Sequence, residues 1–411
     1  MSAQHRSGPV VRHEQVHIAE SSGWNKLPMI FGALGVVGLG VAFATQGSDP
    51  QKFWFSYLTA AMYALSFGLG GLFFVLIQHA ARAGWSIVVR RLAENMALAL
   101  PVVAVLTLLG VVVGMHDLYE WSHEEVMATD VMLAAKEPYL NSGFFTSRAI
   151  VYVLVWAGLA FMLWRWSTTQ DKATDPAPLQ HKMRWIAPLG LILFGFTLTF
   201  AAFDWLMSLD PHWFSTIFGV YYFAGCVVST HAFLALVVIL LHRSGYLRGV
   251  VTAEHFHDLG KMMFAFTVFW AYIGFSQYFL IWYASIPEET FWFSYRGQGD
   301  FLYLSLVLIF MRFVFPFIGI MSRKIKRNPK TLAFWCVWIL VGQFIDQYWL
   351  VHPMLAHLRG VTDIQITTFD VATLVGFAGV FLAVFTWALT RNALVPVKDA
   401  RLEESMVHEN F

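Results

Sequence analysis

The sequence predicts an all-α polytopic membrane protein with ten transmembrane helices. Two observations carry this. Of 411 residues, 58% are hydrophobic and 13% charged, with a mean hydropathy of +0.59, whereas a soluble chain carries about 25% charged residues. The apolar residues are also gathered into ten runs, and a helix of roughly 20 such residues crosses the hydrocarbon core of a bilayer. That core holds no water to pair an exposed backbone group, so each run must be a helix. The net charge of +1 gives no argument for nucleic acid. The two cysteines, Cys226 and Cys336, lie in separate apolar runs and form no CxxC, which excludes a cysteine-ligated iron–sulfur cluster or zinc ribbon.

The first 26 residues are a polar tail without the apolar core or small-residue cleavage site of a signal peptide, so the first span is expected to insert uncleaved. The runs then cover 27–44, 53–77, 93–115, 149–164, 185–203, 217–241, 262–284, 301–321, 332–350 and 369–389. Basic residues concentrate in the tails and in every second connection, as in Arg323, Lys324, Lys326, Arg327 and Lys330, while the opposite connections hold Lys52, Lys136, Arg148, Arg296 and Arg359. The basic side is cytoplasmic, which puts both termini inside and is consistent with an even number of spans. The outer connections are acidic. Residues 116–148 carry Asp117, Glu120, Glu124, Glu125, Asp130 and Glu137, read either as a solvated loop or as a docking surface for extracytoplasmic partners.

The middle of the chain is a polar joint, 204–216, with Asp204 and Asp210 and no Lys or Arg. Asp204 is expected to end one span and His212-Trp213 to open the next, with Trp205 and Trp213 at headgroup level. A weak repeat surrounds it. Trp54-Phe55-Ser56 opens one span that ends in Arg82-Ala83-Gly84-Trp85, and Trp213-Phe214-Ser215 opens another that ends in Arg243-Ser244-Gly245-Tyr246. Both run in the same direction. The expected organisation is a flanking span (27–52), a first four-helix bundle (53–203), the joint, a second four-helix bundle (217–350), then an outer loop with the last flanking span (351–389) and a tail (390–411). Spans two to five and six to nine form the two bundles.

Ionisable groups at membrane depth cost several kcal/mol and are functional candidates. They are His231, near the middle of span six, Arg312, within span eight, and Asp346, toward the outer end of span nine with Tyr348 beyond it. Gln343 lies three residues before Asp346 and so shares its face, and Gln277 is in the outer half of span seven. The outer half of the second bundle therefore reads as a proton half-path from Asp346 and Tyr348, past Gln343 and Gln277, to His231 and Arg312, because His and Asp change protonation while amides and phenols orient a chain of hydrogen bonds. Each residue also has a plain structural reading. Arg312 precedes Pro316, which has no N–H, so the Arg312 side chain could serve the carbonyl the proline leaves unpaired. In the first bundle the ionisable groups Glu94, Asp117, Arg148 and Asp204 sit at the ends. With one mid-span histidine, the chain lacks the paired ligands of a bis-haem cytochrome b, so neither haem nor metal is expected on it.

The joint Asp204-Trp205-Leu206-Met207-Ser208-Leu209-Asp210-Pro211-His212-Trp213-Phe214-Ser215-Thr216, together with Asp346-Gln347-Tyr348-Trp349-Leu350-Val351-His352-Pro353, resembles the ActF-type integral membrane subunits of bacterial alternative complex III, within the NrfD/PsrC-like family. The stretch Leu140-Asn141-Ser142-Gly143-Phe144-Phe145-Thr146-Ser147-Arg148 looks like that family's third-loop motif. The resemblance implies two four-helix bundles with flanking spans in a bacterial inner membrane. It implies a quinol oxidoreductase passing electrons to cytochrome c or to a terminal oxidase. The partners it implies are an ActC-type subunit that holds the quinol, iron–sulfur and multi-haem cytochrome c subunits, and lipid. This chain would then bind no redox cofactor of its own and meet menaquinol or another quinol through the complex, contributing a proton path and architecture. Two alternatives stay open. The chain could itself bind quinol, with Asp117, Arg148 and Asp204 as its polar groups, or it could be a secondary transporter or channel.

Overall fold

A computed structural model describes residues 11–410, so Arg6 of the basic N-terminal tail lies outside the described residues. The chain is helical, and no strand is longer than one isolated bridge between Arg248 and Val251 among the described residues. Ten helices are long and apolar enough to cross a membrane. They are α1 (Leu27–Thr45), α2 (Pro50–Ala80), α3 (Ile87–Val113, interrupted at Leu98-Ala99 ahead of Pro101), α4 (Ser142–Gln170), α5 (Ala177–Trp205), α6 (Phe218–Arg243), α7 (Ala253–Ala284), α8 (Gly299–Met321), α9 (Pro329–Leu358) and α10 (Thr368–Arg391). The molecule is thus a multi-pass, all-helical membrane protein.

Several helices run past their apolar stretches, and caps explain why. Asp49 accepts the N–H of Lys52 at 3.1 Å and Pro50 follows at the first helical position, so α2 begins three residues before the apolar run. Asn141 caps α4 through the N–H of Phe144 at 2.9 Å, and Thr367 with Asp370 forms a capping box on α10. α9 continues through Pro353 to Leu358. These extensions draw charged residues inside. Lys52, Arg90, Arg91 and His352, which by position belong to loops, are all buried.

α2 and α6 are the two most buried spans and pack on each other. They are also the two spans that the repeated Trp-Phe-Ser and Arg-x-Gly-aromatic motifs flank, Trp213-Phe214-Ser215 lying in the connection before α6. α2 is further lined by α3, α5, α9 and α10, and α6 by α5, α7 and α9. α4 rests on α3 and α5, and α8 on α7 and α9. α1 and α10 pair along a glycine seam. A Cβ on Gly38 would stand 2.6 Å from the backbone nitrogen of Gly376, and one on Gly379 would stand 2.5 Å from that of Gly35. Backbones this close need small residues, and close packing is what holds helices together in lipid. Gly38→Leu is expected to cost about 1–3 kcal/mol by overpacking and to free α1, seen as faster protease cleavage at 45–49 with α2–α9 still folded.

Both tails fold over one end of the array. Leu394 donates to Val16 O at 2.7 Å and Leu247 to Gln15 O at 2.8 Å, while Arg90 reaches Asp399 at 2.5 Å. The opposite end is covered by short helices in 115–136 and by Pro287–Arg296. Two expectations for the joint are corrected here. α6 opens at Phe218, so His212-Trp213 stays in the connection. Trp205 and Trp213 are buried inside the protein, because Trp213 stacks on Trp292 at 4.3 Å and Trp205 packs on Tyr152 and Trp156. The 115–136 segment is tied to the joint by His212 Nε2 and Asp130 Oδ2 at 2.6 Å. That bond holds the Asp130 carboxyl below its ordinary range. A depressed carboxyl stabilises above its unfolded value, about 3.9, and loses its effect as pH falls through the folded value. Acid release of this segment is therefore expected only below about pH 4, read as hydrogen exchange across 124–136.

Candidate functional site

The α8 backbone sets the site. Pro316 cannot donate an N–H to the turn before it, and Phe310–Val314 opens into a single π-helical turn. The donor that repairs this turn is Trp338, whose Nε1 reaches Met311 O at 2.9 Å. The Arg312 side chain, a candidate for that repair, is directed elsewhere. It passes between Gly342 on α9 and Gly225 on α6, where a Cβ would come within 3.0 Å of Arg312 Cδ and 3.4 Å of Nη2 respectively. Side chains at either position would crowd the guanidinium.

Arg312 ends at Asp346, Nη2 to Oδ2 at 3.2 Å. Asp346 is 1% exposed and also accepts from Tyr221 Oη at 2.5 Å and Trp270 Nε1 at 3.1 Å. The Arg312 guanidinium lies 4.7 Å from the centre of the Trp270 ring. Four consecutive spans, α6 to α9, thus contribute one residue each. A buried pair of this kind persists only when further hydrogen bonds satisfy both ions, and Tyr221 and Trp270 supply them on the acid side. The satisfaction is incomplete on the other side. Arg312 Nε and both amide atoms of Gln343 have no partner among the described residues, and the Gln343 amide lies beside Arg312 at Gly225.

The other candidates are placed differently. His231 shares α6 with Tyr221 but lies ten residues on, about 15 Å along the axis. Its Nδ1 bonds the Val227 carbonyl at 2.8 Å, and its ring packs between Phe74 and Phe266. No hydrogen bond joins it to Asp346 or Arg312 among the described residues. Gln277 is buried on α7, beyond Trp270, with Oε1 unpartnered. Tyr348 turns away from Asp346 and stacks on His352 at 3.8 Å.

That stacking leads to a second buried cluster. Lys52 Nζ on α2 bonds both oxygens of Asp370 on α10, at 3.0 and 3.1 Å, and approaches His352 Nδ1 at 3.3 Å. Ser56 Oγ donates to Asp370 at 2.6 Å, and His352 Nε2 lies 3.5 Å from Asp370 Oδ1 without a hydrogen-bond partner among the described residues. Lys52 stands one residue before an apolar run and so reads as a loop residue. The signal that places it inside is Asp49-Pro50, a cap followed by a first-turn proline.

Of the three residues named for quinone, Arg148 and Asp204 are joined and Asp117 is not. Arg148 Nε and Nη2 grip Asp204 at 2.8 and 3.0 Å, and Tyr139 and Tyr152 donate to the two oxygens at 2.9 and 2.7 Å. Asp204 therefore accepts four hydrogen bonds, as many as a carboxylate takes. No protein-family model matches the chain, and no curated protein matches it.

Proposed function

We propose that this chain is a membrane subunit of a bacterial respiratory quinol-oxidising complex of the alternative complex III type, without a redox cofactor of its own, and that α6–α9 carry part of a proton path. In this reading α2–α5 and α6–α9 are the two four-helix bundles of the NrfD/PsrC-like arrangement, α1 and α10 flank them, and both termini are cytoplasmic. Quinol would be oxidised in a neighbouring ActC-type subunit, with iron–sulfur and multi-haem cytochrome c subunits completing the complex.

The observation that carries the reading is the Asp346–Arg312 pair, buried among four spans with the Gln343 amide unsatisfied beside it. Arginine stays protonated, so it acts as a fixed charge, and Asp346 is the member able to take up and release a proton. Polar atoms without a protein partner are where bound water bridges, which makes Gln343 and Arg312 Nε the natural continuation. Toward the opposite end, His352 lies six residues along α9 from Asp346, about 9 Å, and leads to Lys52 and Asp370. His231 is left out of this route, since its one hydrogen bond among the described residues is to its own helix.

A quinol site on this chain at Arg148 and Asp204 is disfavoured, because Asp204 has no acceptor capacity left. Two measurements test the proposal. Gentle solubilisation followed by mass spectrometry is expected to recover the chain with multi-haem and iron–sulfur subunits, whereas recovery alone or as a homo-oligomer favours a transporter. An engineered cysteine in 124–129 is expected to react with a membrane-impermeant reagent in intact spheroplasts. Labelling only after lysis would reverse the orientation.

A further inference from the structure

Beside the charge cluster, α7 and α8 splay apart. α7 packs on the later part of α8, from Phe310 to Met321, but draws away from Gly299–Ile309, and the helix Pro287–Arg296 closes the wedge at one end. The result is a cleft of about 750 Å³, within the roughly 300–1,000 Å³ of small-molecule sites. Its walls are mostly apolar. Tyr272, Phe275 and Leu306 on its rim are exposed, so it opens sideways between spans, where lipid lies.

Two buried polar side chains line this cleft with unspent hydrogen-bonding capacity. Arg296 is 2% exposed; it donates Nη1 to Trp292 O at 2.9 Å and Nη2 to Leu350 O at 3.0 Å, and its Nε has no partner. A guanidinium has five N–H groups, and no carboxylate pairs with this one among the described residues. The nearby acid, Asp210, is engaged by Tyr295 Oη at 2.5 Å. Gln277 is 6% exposed with Oε1 unpartnered. The two converge on Tyr221. Gly274, one turn before Gln277 on the same face of α7, would bring a Cβ to 3.1 Å from the Tyr221 ring, and Arg296 grips α9 at Leu350, one turn from the Asp346 to which Tyr221 donates. One end of the cleft therefore holds a cation, stacked over the Trp292 ring at 3.3 Å, with the Gln277 amide in the same lining, and the rest is apolar along Leu302, Leu306 and Ile309.

We propose that this cleft binds a membrane amphiphile with an anionic, hydroxyl-bearing head, of the phosphatidylglycerol kind. The head phosphate accepts from Arg296, a head hydroxyl donates to Gln277 Oε1, and an acyl chain fills the apolar remainder. A neutral quinol would leave the buried guanidinium without a counter-charge, and a phosphocholine head has no hydroxyl to donate. The site does not depend on the proton path, although Tyr221 and Trp270 form its wall and donate to Asp346 on their other side.

Native mass spectrometry of the full chain, in its complex where it is extracted as one, tests this with phosphatidylglycerol, phosphatidylcholine and a menaquinone added separately after delipidation. One phosphatidylglycerol per chain is expected to remain, preferred over phosphatidylcholine by about two- to tenfold, as the extra neutral hydrogen bond from its head hydroxyl to Gln277 warrants. Gln277→Leu and Arg296→Gln are expected to remove most of that preference. Because Arg296 also holds two carbonyls, Leu306→Trp on the exposed rim provides a variant whose folding is not at risk; it is expected to expel the bound lipid while the protein melts as wild type. Equal retention of both phospholipids, retention unaffected by Leu306→Trp, occupancy by the menaquinone, or a Leu306→Cys crosslink to another protein in place of lipid would each overturn the proposal.

Discussion

Asp346→Asn is expected, under the proposed function, to abolish most of the proton release per quinol, with the complex still assembled and quinol oxidation continuing. The change keeps the side chain's shape but removes the charge that faces Arg312. Leaving one ion of a buried pair alone costs about 3–5 kcal/mol, whereas replacing both by apolar residues of similar volume is often neutral. The single variant should therefore melt earlier, and Asp346→Leu with Arg312→Met should regain stability without regaining proton release. Loss of stability and loss of proton release are separated in this way. His231→Ala, in contrast, is expected to leave proton yield unchanged. An unaltered yield in Asp346→Asn, measured in liposomes with the complex intact, would leave the cluster with a purely structural role.

The second large effect concerns Asp204. Asp204→Ala removes the only acceptor for two Arg148 bonds and for the Tyr139 and Tyr152 hydroxyls, all at or below 3.0 Å. The half-buried guanidinium loses its counter-charge but keeps its Nη1 bond to Tyr139 O at 2.9 Å, which makes a cost of about 1–3 kcal/mol the expected result, read as a lower melting temperature in detergent. Arg148→Ala should cost at least as much, because it leaves the fully buried Asp204 carboxylate with two tyrosine donors and no counter-charge. The double variant should fall short of the sum, since the residues share one network. If Asp204→Ala melts like wild type, the joint is not held by this carboxylate.

The spans were legible in the sequence because burial in lipid leaves a long apolar run, and all ten runs became helices. The meeting of Arg312, Gln343 and Asp346 was half legible. Their depth could be read from the runs, but Tyr221 and Trp270 are ordinary aromatic residues in a chain rich in them, and only tertiary packing marks them as donors. The Lys52–Asp370 pair was invisible for a different reason. Each residue stands at the edge of a run, and helices extended by caps bury what hydropathy leaves outside. Tyr348 and His231 make no hydrogen bond to the Asp346–Arg312 pair among the described residues, because sharing a depth or a helix does not set direction. The Tyr348 ring is claimed by His352, and the His231 ring by two phenylalanines.

The π-helical turn at Phe310–Val314 has a further consequence. Such a turn is an α-helix with one residue too many, looped out over a wider ring. Everything before it on α8 is rotated relative to everything after it by about 100°, the angle of one residue at 3.6 per turn. Deleting Phe310 would let the helix close into regular α geometry and swing the two halves of α8 out of phase with their neighbours. Either Arg312 would keep its place and Ser305, which accepts from Trp349 at 2.8 Å, would leave its own, or the reverse. A single lost codon, with no change in hydropathy, would thus separate the charge at the centre of this membrane protein from the half-helix that walls the neighbouring cleft.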